Sequence, residues 1–369
     1  GGMLWRSVGD REVAAVLPRT VAALTAWAGR DLPGEPAFAA LAADLRSARE
    51  AGTLPTAARR LNYDVSGYRT LLTTTARRLA APPDEGKAAE TLLGISPRWG
   101  EVETWGAIKR ARGPLTDFYL LAALDLKREA DGAITRAPED TAIYLEVLGR
   151  TVWIGVGVTL LCLVLGFPVA YLLAALPQRR SNLLMVLVLL PFWTSLLVRT
   201  TAWIVLLQGE GLVNDALRWI GLVDEPLRLI YNRFGVYVAM THVLLPYMIL
   251  PLYSVMRAIP PAYMRAAAGL GATPLTAFRR VYLPLAMPGI GAGSLLVFIL
   301  AIGYYITPAL VGGGGDQMIS YFIAFYTTET VNWGLAAALG AVLLALTLLL
   351  AGVYGRLVQG RGAAAGAAR

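Results

Sequence analysis

A chain of 369 residues that is 56% hydrophobic and only 16% charged belongs with membrane proteins rather than with soluble globular domains. Its formal net charge of +8 gives no argument for nucleic acid: residues 1–150 hold 20 basic and 19 acidic side chains, whereas 151–369 hold 13 and 6, with bases that are all arginine and mostly flank apolar segments. A single cysteine, Cys162 inside an apolar run, and a single histidine exclude an internal disulfide, a multi-cysteine metal site and a histidine-rich one.

Residues 1–145 read as a soluble, mostly helical region. Apolar side chains recur at helical spacing over 12–28, 36–49, 67–80 and 114–126, and Pro33-Gly34, Pro82-Pro83 and Gly113-Pro114 break the pattern. The stretch around Trp99, Trp105 and Lys109 predicts an amphipathic helix with core aromatics, and Arg59 and Arg60 are expected at the surface. No catalytic motif occurs in this region.

Five apolar stretches follow, at about 151–176, 183–207, 235–257, 288–312 and 332–355, each near the ~20 residues that cross a bilayer. Prolines 168, 191, 246, 251 and 308 fall inside them, which membrane helices tolerate when neighbours satisfy the freed carbonyls. Gly289 and Gly293 allow close helix packing. The expected fold class is all-α: a polytopic membrane protein with five visible transmembrane helices over 146–357, a helical extracytoplasmic region over 1–145 and a cytoplasmic tail over 358–369.

The loops predict the orientation. Segments 177–182, 257–287 and the tail from 356 contain nine arginines and no acid, while the alternate loops hold Glu210, Asp215, Asp224, Glu225, Asp316 and Glu329 against three arginines. By the positive-inside rule the first set is cytoplasmic. Residues 1–145 then lie outside. A soluble region of that size needs something ahead of it to drive export, and since the chain opens on Gly-Gly, a preceding transmembrane helix is expected.

The polar break over 259–287 is built as two short helices. Pro260 and Pro261 suit an opening turn, and Ala266, Ala267 and Ala268 keep one side thin. Gly269 and Gly271 end the first helix, glycine entering left-handed geometry without strain. Thr273 and Pro274 cap and open the second, Leu275, Phe278 and Val281 or Tyr282 share its face, and Pro284 stops it.

The spacing of the Ala266-Ala267 pair, Gly271, Val281 and Leu283-Pro284 resembles the signature loop of permease subunits of binding-protein-dependent ABC importers. The runs Pro191 to Thr200 (PFWTSLLVRT) and Gly209 to Asn214, with Met287-Pro288-Gly289, resemble the spermidine/putrescine branch. The likeness covers roughly 145–357. It implies that 259–287 is a coupling loop docking into a cytoplasmic ABC ATPase dimer, through Arg265, Ala266, Ala267, Gly271, Phe278, Leu283 and Pro284. Arg265 stands where the family usually has an acid, which leaves the polarity of that contact open. The resemblance further implies a second permease subunit of different sequence, an extracytoplasmic solute-binding protein and a six-helix core in the bacterial inner membrane. It implies no cofactor bound by this chain, ATP and Mg²⁺ being used by the partner, and polyamines or related small amines as solute.

Candidates for the translocation path are Trp193, Arg199, His242, Tyr304, Tyr305 and Thr307. Arg199 sits toward the outer end of its helix, as a gating group, an interface anchor or the partner of Glu210. His242 either faces a path or bonds between helices. Tyr304 and Tyr305 suit an organic ammonium by cation–π attraction, and equally an interfacial aromatic belt. Gly312 to Gly315 with Asp316 is glycine-rich but lacks the Gly-Lys-Ser/Thr that a nucleotide-binding loop needs, so the energy must come from a partner. The competing class is a stand-alone secondary transporter or channel. An ion-driven carrier places ionisable groups near mid-membrane, and the five apolar stretches contain no carboxylate. A membrane enzyme is further off still, since no nucleophile–base or metal-ligand set converges.

Overall fold

The structure, a computed structural model, describes residues 2–79 and 81–366, without the side chains of Met3 and 357–366. The chain divides into two compact units, Gly1–Leu145 with Glu329–Ala341, and Glu146–Thr328 with Val342–Arg369.

The first unit is helical around one core. Helices Glu35–Glu50, Leu54–Asp64, Tyr68–Arg78 and Val102–Arg110 bury Phe38, Leu41, Leu45, Leu61, Leu72 and Ile108. Trp99 and Trp105 lie fully inside, and each indole N–H has a partner: Trp105 Nε1 donates to the Trp99 carbonyl at 2.8 Å, Trp99 Nε1 to Thr75 Oγ1 at 3.0 Å. A buried indole left unpaired would cost about 1–3 kcal/mol, so these bonds decide which way the rings face.

Local chemistry revises the sequence boundaries. The helix expected over 12–28 splits at Leu17 into Glu12–Val16 and Pro18–Ala23, because Pro18 has no N–H to continue the ladder. The helix expected over 114–126 shortens to Phe118–Ala123. Asp125 turns to φ +57, and its carboxylate accepts from the Tyr144 and Leu145 N–H groups at 2.9 and 2.8 Å, capping the next helix. A two-stranded antiparallel hairpin, Leu126–Arg128 with Ile134–Arg136, was not anticipated. Nor was the helix Leu54–Asp64. Its inner face buries Ala57, Ala58 and Arg60, which is 1% exposed, while Arg59 stays outside. The expectation that Arg60 is a surface residue fails because Asp10 meets it, with Nε to Oδ2 at 2.7 Å. Burial pushes the Asp10 carboxyl above its usual range despite that cation. Arg110 continues the ionic chain, pairing with Asp64 at 2.8 Å and Glu103 at 2.8 Å. Burial raises the Glu103 carboxyl, but bonds from Arg110 and Lys127 outweigh it and hold the group below its ordinary value.

The second unit carries most of the apolar helices. Stretches Tyr144–Ala175, Leu196–Trp219, Arg233–Ala258, Pro274–Gly303 and Trp333–Arg356 are long and apolar enough to cross a membrane. The span expected at 183–207 is not one helix. Gln178–Leu189 passes into a tight turn, Leu190–Trp193, and a new helix, Leu196–Leu207, begins after Ser195, since Pro191 interrupts the ladder. Pro284 does not stop its helix. A π-helical turn over Phe278–Tyr282 carries the chain into Leu283–Gly303, and Pro284 sits in the first turn, where its missing N–H leaves little to satisfy. The span expected at 288–312 instead breaks at Tyr304 and Tyr305 before the short helix Ile306–Val311. The tail from 358 continues as helix to Gly366, and Arg369 lies outside the described residues.

Candidate functional site

The break over 259–287 takes its shape from backbone geometry that single residues impose. Pro260 caps the helix Pro261–Gly269, and the helix ends in paired bonds, Ala272 N–H to the Ala267 carbonyl and Gly271 N–H to the Ala268 carbonyl, both at 3.0 Å. That six-to-one and five-to-two pairing requires a left-handed residue, and Gly271 supplies it at φ +81. Thr273 then caps the next turn through its hydroxyl, which accepts from the Thr276 N–H at 3.3 Å.

One side of this loop is anchored. Phe278 stacks on Tyr282 at 5.8 Å, and both meet the first span, Phe278 at Phe167 (6.0 Å) and Tyr171 (6.2 Å), Tyr282 at Tyr171 (5.1 Å). Leu275 does not share that face as the spacing predicts. The π turn shifts the register, and Leu275 is 66% exposed. Other parts of the loop are bare: Leu270 is 90% exposed, Arg265, Ala266 and Pro284 are exposed, and Ala267 and Leu283 are half-buried. Arg257, which sequence reasoning counted only as a cytoplasmic charge, donates to the Ala174 and Leu176 carbonyls at 2.8 and 3.1 Å and to Gln178 Oε1 at 2.8 Å. It satisfies the open end of the first span and ties the loop's root to it.

Four of the six path candidates converge. Trp203 Nε1, on Leu196–Leu207, donates to His242 Nδ1 on Arg233–Ala258 at 3.1 Å. The Thr200 and Thr307 hydroxyls, both buried, meet at 3.3 Å. Arg199, next in the chain to Thr200, lies within electrostatic reach of His242 and Tyr304, and its Nε is buried without a hydrogen-bond partner. No ion pair joins Arg199 to Glu210 among the described residues. Tyr305 is 42% exposed at the helix break, and Trp193, at the end of the turn Leu190–Trp193, is 86% exposed. Trp203 and Thr200 belong to the cluster and escaped sequence reasoning. Two hydroxyls or an indole in apolar runs gave the available signal, but spacing alone does not pair residues 107 apart.

The glycine run 312–315 serves as a clasp. Asp316 accepts from Arg233 Nε at 3.0 Å and from the Gly313 N–H at 3.1 Å, fixing the start of Arg233–Ala258.

Comparison with known proteins falls on the same stretch. A family profile described as "Binding-protein-dependent transport system inner membrane component" matches residues 163–362. The spermidine/putrescine transport system permease protein PotB of Escherichia coli K12 is 36% identical over 214 residues, 58% of this chain and 78% of that protein. Its Haemophilus influenzae counterpart is 35% identical over 214 residues, 58% of this chain and 75% of that protein. The inner membrane ABC transporter permease protein YdcU of E. coli K12 is 35% identical over 192 residues, 48% of this chain and 59% of that protein. The match takes in the later part of the span Tyr144–Ala175, the other four spans and the exposed loop over 259–287, and the chain belongs to the family of binding-protein-dependent transport system inner membrane components, multi-pass permeases of the bacterial cytoplasmic membrane.

Proposed function

We propose that this ABC importer permease carries polyamines or related small amines, and that its loop over 259–287 takes up the stroke of a separate ATPase dimer that binds the ATP and Mg²⁺. The observation that carries the reading is the loop: anchored to the first span by Phe278 and Tyr282, bare at Leu270, and hinged at a left-handed Gly271. A rigid element held at one side and open at the other transmits a push without deforming. A second, different permease would complete the path, and a solute-binding protein would deliver the solute outside, where residues 1–145 would meet it.

The orientation is testable by single cysteines in a Cys162→Ala background. Glu85→Cys and Asp224→Cys, both exposed, label in intact cells with an impermeant maleimide, and Leu270→Cys labels only after the membrane is opened. Labelling of Leu270→Cys in intact cells reverses the topology and removes the coupling role.

The relatives' names support polyamine as solute, and Tyr304 and Tyr305 offer π faces to an ammonium at a helix break. In proteoliposomes holding permeases, ATPase and binding protein, ATP-dependent uptake of labelled spermidine or putrescine is expected. Tyr304→Ala and Tyr305→Ala should each lower it by about three- to tenfold, the worth of one cation–π contact. Absence of uptake and of ATPase stimulation by both amines would exclude the polyamine reading while leaving the importer reading standing.

A further inference from the structure

Within the unit Gly1–Leu145 with Glu329–Ala341 lies a cleft of about 250 Å³. Its walls come from four separate stretches: Arg6 and Glu12, Arg59 and Tyr63, Tyr119, and Trp333 with its neighbours. The Arg6 guanidinium sits 5.3 Å from the centre of the Trp333 ring, and the Tyr63 hydroxyl donates to the Thr330 carbonyl at 3.1 Å. Arg59 and Glu12 pair at 3.6 Å with side chains 50% and 46% exposed, a contact that water screens and a stronger anion displaces. The lining therefore presents two arginines against one carboxylate. Gly334 is required here, because a side chain at that position would meet the Tyr119 ring at 2.4 Å and push the wall aside.

The position of the cleft along the chain selects the anion. Trp333 is the first residue of the last apolar helix, where a tryptophan marks the boundary between headgroups and hydrocarbon. Val331, 47% exposed and at φ +55, and Trp333, 39% exposed, turn apolar surface outward at the mouth. A backbone held in a left-handed state by a β-branched residue is characteristic of ligand clamps. Arginine forks match phosphate oxygens in a bidentate way, and the exposed apolar rim suits acyl chains below them. We propose that this cleft binds the phosphodiester headgroup of an anionic phospholipid, with Arg6 and Arg59 holding the phosphate and Trp333 seating the glycerol at the start of the last span. The lipid pins this unit to the membrane surface through the helix start it already contains.

Native mass spectrometry of the full chain, released from nanodiscs of phosphatidylcholine with increasing phosphatidylglycerol, tests this. The wild type should retain phosphatidylglycerol in preference to phosphatidylcholine. Arg6→Gln and Arg59→Gln should each weaken retention on the order of tenfold, the value of a charged hydrogen-bonded contact, and Arg77→Gln, an exposed arginine outside the cleft, should not. All three positions are on the surface, and an unchanged melting temperature verifies that the variants fold. Equal retention in wild type and the cleft variants overturns the proposal, as does equal loss with Arg77→Gln. Competition by millimolar inorganic phosphate with no preference for phosphatidylglycerol makes the cleft a site for a soluble anion and overturns the lipid assignment.

Discussion

In a complex carrying Gly271→Val, solute-stimulated ATP hydrolysis and uptake are expected to fall by about tenfold, while the permease still inserts and keeps its helical content. Gly271 stands at φ +81, and a left-handed backbone costs a side-chain-bearing residue about 1–2 kcal/mol, more at a branched β-carbon. No atom lies within 4 Å of the position a β-carbon would take, so the penalty is conformational and does not reach the membrane core. The chain relieves it by giving up the paired bonds from Ala272 and Gly271 to the end of Pro261–Gly269, which swings Ala266, Ala267 and Leu270 out of register with whatever they dock against. A strain of that size is roughly a tenfold shift between docked and undocked loop. Gly52→Val provides the matched control, since Gly52 is also left-handed (φ +68) with open space around it but lies in the other unit. It should leave ATP hydrolysis unchanged. Equal behaviour of the two variants would mean that the loop is only a linker.

The second large effect is on stability. Arg60→Met leaves Asp10 buried without its cation, and breaking a buried pair from one side costs about 3–5 kcal/mol. The guanidinium also lies 4.5 Å over Phe118 and 5.0 Å over Tyr119, contacts that methionine replaces only in part. Thermal melts of the full chain followed by tryptophan emission, to which the buried Trp99 and Trp105 contribute, should drop by roughly 10 °C.

The sign with pH follows from Asp10. Burial already raises its carboxyl in the folded chain, so its contribution favours the fold at acid pH and is lost as pH rises through the folded value. Removing Arg60 raises that value further. The deficit of Arg60→Met should therefore be greatest near about pH 8 and shrink toward about pH 5. Adding Asp10→Leu should recover most of the loss, because neither partner is then left unpaired. A deficit that does not depend on pH would place the cost in lost packing rather than in the bare carboxylate.

Much of the loop over 259–287 was legible in the sequence, and for one physical reason: its turns depend on residues whose backbone preferences act alone. Gly271 is left-handed, Thr273 caps and Pro261 opens whatever surrounds them, so spacing suffices to place them. Membrane class and the arginine asymmetry of the loops depend only on composition along the chain, and they too were readable.

What required the tertiary structure was every feature that depends on a distant partner. Arg60 scores as a surface residue until Asp10, 50 residues away, neutralises it inside the core. Pro284 reads as a helix stop until a π turn accommodates it, and Arg257 reads as a bare charge until the open end of the first span comes within reach. Thr307 and His242 stand out in the sequence as single polar residues, but their partners Thr200 and Trp203, in a separate apolar run, are found only when helix packing joins them. Local geometry is written residue by residue, whereas pairing is decided by which surfaces the folded chain brings together, and no periodicity in the sequence records that choice.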